Sequence, residues 1–280
     1  MDKVSFVVTS YNYEQFIEET LNSIKNQSFQ DFEIIVVDDF STDNSVKRIN
    51  TFINNNPNLE VKLIIHDKNQ GQLKASLTGL SVATGDFVCF VDSDDVLETD
   101  YTKKLLEAHL KTDVGFVSCN CTEIDEFGNI KSNKEQSHKI KKLNLLTSPF
   151  GGWYWSPMSS AMFRKSSLEV VKDYNNTDDW RICPDKFLFN FVHLTNCSAI
   201  LGENLVKKRI HSNNAGKFNR TKLNFENNKK IRKCTLDFIK KHNCKNKLKC
   251  TIIIYLSYFY IPIQVLKYVK KSILSKFQYN

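Results

Sequence analysis

A chain of 280 residues has room for one large α/β domain with a small appendage, and 41% hydrophobic with 25% charged residues excludes a disordered chain as the default. The net charge of +8 is uneven: residues 220–280 hold 15 Lys and Arg against 2 Asp and Glu, which leaves 24 against 29, a net −5, in residues 1–219. Eight cysteines with neither CxxC spacing nor the density of a secreted scaffold exclude a disulfide framework and read as reduced thiols in a cytosolic protein.

Met1-Asp2-Lys3 leads directly into the apolar run 4–9, too short for the core of an export signal and read as a buried strand. Residues 14–26 place Phe16, Ile17, Leu21 and Ile24 on one side of a helix. The second strand, 32–37, is a mostly apolar run of the type expected in a parallel sheet. Ser41-Thr42-Asp43 caps a helix running to about residue 54. A third strand follows at 61–65, a third helix at 72–83 stopping at Gly85, and a fourth strand at 87–91 ending in Asp92. A helix over 97–110 and a strand over 114–121 complete the first half. The polar stretch 123–142, with Gly128, suits a hairpin or excursion loop. The aromatic-rich loop 151–157 precedes a strand at 158–163. Helices over 166–172 and 183–194 and a strand over 199–206 lead to Arg209-Ile210-His211, and basic helices start at 221.

This alternation defines an α/β fold, a mostly parallel sheet flanked by helices, with a C-terminal helical extension. Right-handed crossovers put the C-terminal ends of the strands along one rim, where open α/β sheets bind ligands. Thr9-Ser10-Tyr11-Asn12, Asp38-Asp39 and Asp92-Ser93-Asp94-Asp95 each follow a strand, so three polar clusters meet there.

Adjacent carboxylates at a strand end repel one another unless a cation sits among them. A hard divalent ion, Mn²⁺ or Mg²⁺, takes oxygen ligands and keeps phosphate oxygens in its shell. The bland reading of Asp94 or Asp95 is an N-cap for the following helix. Asp39 has the same two readings: an acceptor for a ribose or base edge, or a turn residue beside Ser41.

Taken in order, VSFVVTSYN at 4–12, Gln27-Ser28-Phe29, VVDDFSTD at 36–43, Asn69-Gln70-Gly71, Ala83-Thr84-Gly85-Asp86 and FVDSDD at 90–95 resemble the inverting family 2 glycosyltransferases of the GT-A fold. The resemblance is dense over the first 120 residues. It continues loosely through 159–164, 178–189 and 209–214.

The resemblance implies that Thr9, Tyr11 and Asp39 hold the nucleotide base, and that Asp92 and Asp94 are the DXD carboxylates toward ribose and metal–diphosphate. Asp95 is an alternative metal ligand, and His211 lies near diphosphate or metal. Asp185 stands as general base, with Asp178 and Asp179 as rivals. The donor implied is a nucleotide sugar, by resemblance a uridine diphosphate sugar, and the acceptor a glycan or lipid-linked hydroxyl. Three departures stand out: Pro184-Asp185 replaces Glu-Asp, Phe40 replaces a common Gly, and the arginine after Asn-x-Gly is absent, leaving Lys74 or Lys68 to face phosphate. Trp153 and Trp155 either stack on an acceptor sugar or plug the core.

The expected organisation is a catalytic domain over 1–219, divided into a nucleotide-sugar half (1–120) and an acceptor half (121–219), with a basic extension over 220–280. That extension includes an apolar run at 250–266, marginal for a bilayer span, which suits an interfacial helix on an anionic membrane at the cytosolic face or a helix packed on the catalytic domain. Nucleic acid is not the expected partner. Three other classes compete. A glycan-binding module without turnover shares the fold. A nucleotidyltransferase needs Gly and Arg in the loop after the first strand, and residues 9–14 have neither; a nicotinamide dehydrogenase lacks its GxGxxG.

Overall fold

The computed structural model describes residues 2–133, 135–143, 155, 157–172, 181 and 184–212, with isolated positions between 233 and 255. The chain divides into two compact units, residues 1–143 with 155–218 and residues 144–154 with 219–280. Most of the basic extension and all of the loop 151–154, including Trp153, lie outside the described residues, as do Asp178 and Asp179. Among the described residues no helix is long and apolar enough to cross a membrane.

The first unit is built on β1 (Val4–Ser10), α1 (Ile17–Lys25), β2 (Phe32–Asp38), α2 (Ser45–Asn55), β3 (Val61–Ile65), α3 (Gln72–Val82) and β4 (Phe87–Asp92). Then come the two-residue β5 (Val96–Leu97), α4 (Tyr101–Leu110), β6 (Phe116–Ile124), β7 (Ile130–Ser132) and β8 (Ile140–Lys142). A 3₁₀ turn (Met158–Ser160) leads into β9 (Ala161–Arg164), α5 (Lys165–Lys172), α6 (Pro184–Asn196) and the long β10 (Ser198–Arg209). The sheet order is β3-β2-β1-β4-β9-β6-β10-β5. β3, β2, β1 and β4 run parallel, as do β6 and β10; β9 is antiparallel between β4 and β6.

Two expected elements differ from those observed. The helix predicted from residue 97 starts at Tyr101, because Val96–Leu97 pairs antiparallel with β10 and Glu98 N–H donates to the Leu205 carbonyl at 2.9 Å. The strand predicted over 158–163 is a 3₁₀ turn before it is a strand. The excursion 123–142 resolves into β7 on β6 and β8 on β10.

One face of the sheet is closed by α1 and α2. Ile17, Thr20, Leu21 and Ile24 recur at helical spacing on α1 and are buried, with Ile49 and Phe52 from α2, against Phe6, Val8, Ile34 and Val36. Each such side chain contributes about 1.5–3 kcal/mol by leaving water. On the other face α3 packs close to β1: a Cβ on Gly79 would stand 2.3 Å from Val7 Cγ1. Glu33 is an ionisable group fully buried within β2. Burial pushes the Glu33 carboxyl up, but hydrogen bonds from Ser5, Thr84 and Lys62 outweigh it and bring it down to about 2. Cys89, Cys119, Cys121 and Cys197 are free thiols.

The register fixes the rim. Ser10 lies beside Asp38, and Thr9 beside Val37 and Asp92, so β1, β2 and β4 end at one level.

Candidate active site

The loops after β1 and β2 are tied together. Asn12 accepts from Thr42 N–H at 2.8 Å and donates its own N–H to Ser41 Oγ at 2.9 Å, while Tyr13 N–H reaches Ser45 Oγ at 2.9 Å. Asp38 accepts from Ser41 N–H and Oγ–H at 2.8 and 2.6 Å. Between them Phe40 adopts φ 70°, a left-handed conformation costing a branched or bulky residue on the order of 1–3 kcal/mol, which these bonds hold in place. Tyr11 remains 44% exposed and Thr9 partly exposed at this rim.

Asp39 is almost fully enclosed. Its Oδ1 accepts from His66 Nδ1–H at 2.7 Å and Gln70 N–H at 2.8 Å, and its Oδ2 from Gly71 N–H at 2.7 Å. The loop 66–71 is therefore wrapped around the carboxylate. Gly71 takes φ 90°, and any Cβ there would meet the Arg181 backbone at 2.8 Å.

The segment 92–95 is bound differently at each position. Asp92 accepts from Gln72 Nε2–H at 2.6 Å, and its backbone N–H donates to Ser159 Oγ at 3.0 Å. Ser93 Oγ–H donates to the Thr9 carbonyl at 2.6 Å, joining the β4 and β1 ends. Asp95 Oδ1 accepts Arg209 N–H at 3.1 Å and Oδ2 accepts Ser159 Oγ–H at 2.6 Å. Asp94 Oδ2 lies 3.0 Å from His211 Nε2. Neither Asp94 nor Asp95 caps the next helix, whose N-cap is Asp100.

The charge of these carboxylates is poorly balanced. Burial, then the fields of Asp95, Asp94 and Asp185, holds the Asp92 carboxyl well above the usual carboxylate range, with Lys208 opposing. Burial and Asp94 push Asp95 up to about 7, against hydrogen bonds from Ser159 and Arg209. Burial, then Asp94, Asp92 and Asp95, raise the Tyr13 phenol far above its ordinary range. Arg209 is buried, but its side chain turns elsewhere: Nε–H donates to the Asp94 carbonyl at 3.0 Å and the guanidinium pairs with Glu19 while lying 4.8 Å over the Phe16 ring.

A divalent cation is the partner such a field fits. Neighbouring ligands of an octahedral ion at about 2.1 Å are about 3.0 Å apart, so the Asp94–His211 separation accommodates an ion as well as a shared hydrogen. Among the described residues no group of three His, Cys, Asp or Glu side chains gathers around one point; any ion there would draw further ligands from substrate or solvent. Beside His211 opens a cavity of about 120 Å³, walled by Tyr13, Phe16, Glu14 and Glu126.

The remaining predicted residues divide. Asp185, on the first turn of α6, is half-buried and within the electrostatic reach of Asp92. Lys74 is exposed on the first turn of α3, as is Lys68 in the loop before it. Trp155 is 3% exposed; it stacks on Phe189 at 5.6 Å and donates Nε1–H to Ser198 Oγ at 3.2 Å. Its ring is the core plug of the two readings, and a sugar has no access to its face. Residues that sequence reasoning passed over are Tyr13, His66, Gln72, Ser159 and Arg209. Ser159 and Arg209 carried a signal, since each opens a segment of the looser resemblance, 159–164 and 209–214.

A mixed sheet, parallel over β3-β2-β1-β4, with helices on its faces and acidic segments at its strand ends, has the architecture of the GT-A class of glycosyltransferase folds. The family model described as Glycosyl transferase family 2 matches residues 5–171, and the chain belongs to that family. Among curated relatives, an uncharacterized glycosyltransferase of Nostoc sp. is 32% identical over 223 residues, 76% of this chain and 66% of its own. The GalNAc(5)-diNAcBac-PP-undecaprenol beta-1,3-glucosyltransferase of Campylobacter jejuni is 33% identical over 176 residues, 60% of this chain and 54% of its own. The chain thus spans less than two thirds of the length of these relatives. Among solved structures, S. aureus TarS 1-349 in complex with UDP-GlcNAc superposes with a TM-score of 0.67 at 20% identity, covering 91% of this chain and 70% of that one. At that identity the likeness establishes the fold.

Proposed function

We propose that the chain transfers a sugar, with inversion, from a nucleoside diphosphate sugar to a hydroxyl of a glycan or lipid-linked acceptor. The observation that carries this reading is the strand-end carboxylates Asp92 and Asp94, with His211 3.0 Å from Asp94, the enclosed Asp39 after β2, and Asp185 of α6 within electrostatic reach of Asp92. A uridine nucleotide is the donor that the resemblance implies, and Asp39, which presents only acceptor oxygens, suits the ring N–H of uracil. The names of the UDP-bound TarS structures and of the undecaprenol-linked Campylobacter relative agree with such a donor and acceptor.

In this mechanism Thr9, Tyr11 and Asp39 seat the base and Asp92 faces the ribose. Asp94 and His211 would hold Mn²⁺ or Mg²⁺, which when bound supplies Lewis-acid stabilisation to the diphosphate. Asp95 is tied by one bond to each oxygen, from Arg209 and Ser159, and keeps a lone pair on each, so it stands as the alternative ligand to Asp94. Asp185 accepts the proton of the acceptor hydroxyl as that oxygen attacks the anomeric carbon. Placing the base opposite the diphosphate aligns attack and departure in line, and so inverts the configuration. The catalytic domain of this reading is residues 1–219, with residues 220–280 as a basic extension suited to an anionic membrane surface.

Incubation with a panel of nucleotide sugars, Mn²⁺ or Mg²⁺ and acceptor glycans tests the proposal: release of nucleoside diphosphate coupled to a glycosylated product is expected. Tight nucleotide binding with no release from any pair would favour the glycan-binding module instead.

A further inference from the structure

Asp39 is held by one side chain and two backbone amides. An ionised carboxylate offers about four acceptor positions. His66 Nδ1–H and Gln70 N–H fill Oδ1, and Gly71 N–H takes one position on Oδ2, so one position on Oδ2 is left. His66 is itself buried and anchored at its other nitrogen, with Nε2 3.1 Å from Thr78 Oγ1 on α3. The imidazole therefore braces the β2 end against α3.

We infer that His66 is a positioning residue for base recognition: it pins Oδ1 so that the last acceptor position of Asp39 stays directed at the nucleotide. The inference rests on the nucleotide-sugar reading and deepens it by naming the base chemistry. A base whose ring nitrogen carries hydrogen, as in uracil or thymine, supplies the fourth donor. Cytosine presents a lone pair at that nitrogen, which meets carboxylate lone pairs and loses the bond. A site whose polar group is left unpaired by the wrong ligand discriminates strongly. Without the imidazole only the two backbone amides hold the carboxylate, a second acceptor position opens on Oδ1, and the penalty against cytosine falls.

The test uses the full chain with Mn²⁺, measuring UDP and CDP affinity by calorimetry and donor kcat and KM by product release. His66→Leu is expected to weaken UDP binding about tenfold, to lower the UDP-over-CDP preference by a similar factor, and to leave kcat within about twofold. His66→Asn places an amide N–H near the position of Nδ1 and should restore most of both losses. Thr78→Val removes only the outer anchor; a smaller change in the same direction is expected, and it serves where His66→Leu does not fold. Folded His66→Leu or Thr78→Val protein with the parent's UDP affinity and base preference overturns the inference, as does a fall confined to kcat. A parent protein that binds no nucleoside diphosphate defeats the nucleotide-sugar reading itself, and the inference with it.

Discussion

Asp94 Oδ2 and His211 Nε2 stand 3.0 Å apart, joining the end of β4 to the segment that leaves β10 across 117 residues of chain. Both side chains are nearly buried, and the His211 ring is held edge-on by Tyr13 at 5.8 Å and tilted against Phe16 at 5.1 Å. An imidazole packed against two aromatic rings loses little entropy on taking a ligand. His211→Ala should therefore lower turnover about 10²-fold and raise the cation concentration needed for half-maximal rate about tenfold. A cation titration of parent and variant reads both effects; an unchanged cation requirement would place His211 outside the ion's shell.

Asp185 is expected to act only in the chemical step. In Asp185→Asn the carboxamide keeps the shape of the side chain at the α6 N-terminus and removes its basicity. Nucleotide affinity should stay within about threefold and turnover fall 10²–10⁴-fold. Calorimetry with UDP beside single-turnover kinetics separates the two, and near-normal turnover would move the base to another residue.

Ser159 bonds both Asp92 N–H and Asp95 Oδ2 from the turn before β9. Its loss leaves a buried acceptor and a buried donor less well satisfied. Ser159→Ala should cost about 1–3 kcal/mol of stability, read as a lower midpoint in urea unfolding, and should relax the spacing of Asp92 and Asp95. An unchanged midpoint would mean that water replaces the hydroxyl.

Glu33 gives a pH signature. Its folded pKa lies at about 2, below the ordinary value of 4.5. A depressed carboxylate contributes stability that is fully present above about pH 4.5 and is lost as pH falls toward 2. Unfolding midpoints of the parent should therefore drop across that window more steeply than those of Glu33→Gln, and parallel curves would contradict the assignment.

The sheet was legible because a parallel strand buried on both faces writes itself as an unbroken apolar run. Residues 34–37 are such a run, and the observed strand extends it back through Glu33 to Phe32 and on to Asp38. The rim was legible for the same reason, since each polar cluster follows directly on such a run. What periodicity could not reveal were long-range pairings. Val96–Leu97 reads as the start of a helix, yet becomes an edge strand because β10 arrives beside it more than a hundred residues later. Trp155 reads equally as a sugar platform or a core plug, and only the company of Phe116, Phe189 and His193 separates the two. Gln72 and His66 carry no local pattern at all, and Ser159 only its place in the looser resemblance. They matter through bonds to Asp92, Asp95 and Asp39 that the fold creates.

Nothing tests the account's central claim as directly as donor turnover by the parent chain beside Asp94→Asn, with UDP-sugars, Mn²⁺ and an acceptor glycan. The parent is expected to release UDP with a glycosylated product, and the variant to lose at least 10²-fold in rate while it keeps its fold by circular dichroism. Equal rates in the two proteins, or no UDP release from the parent with any donor, would contradict it.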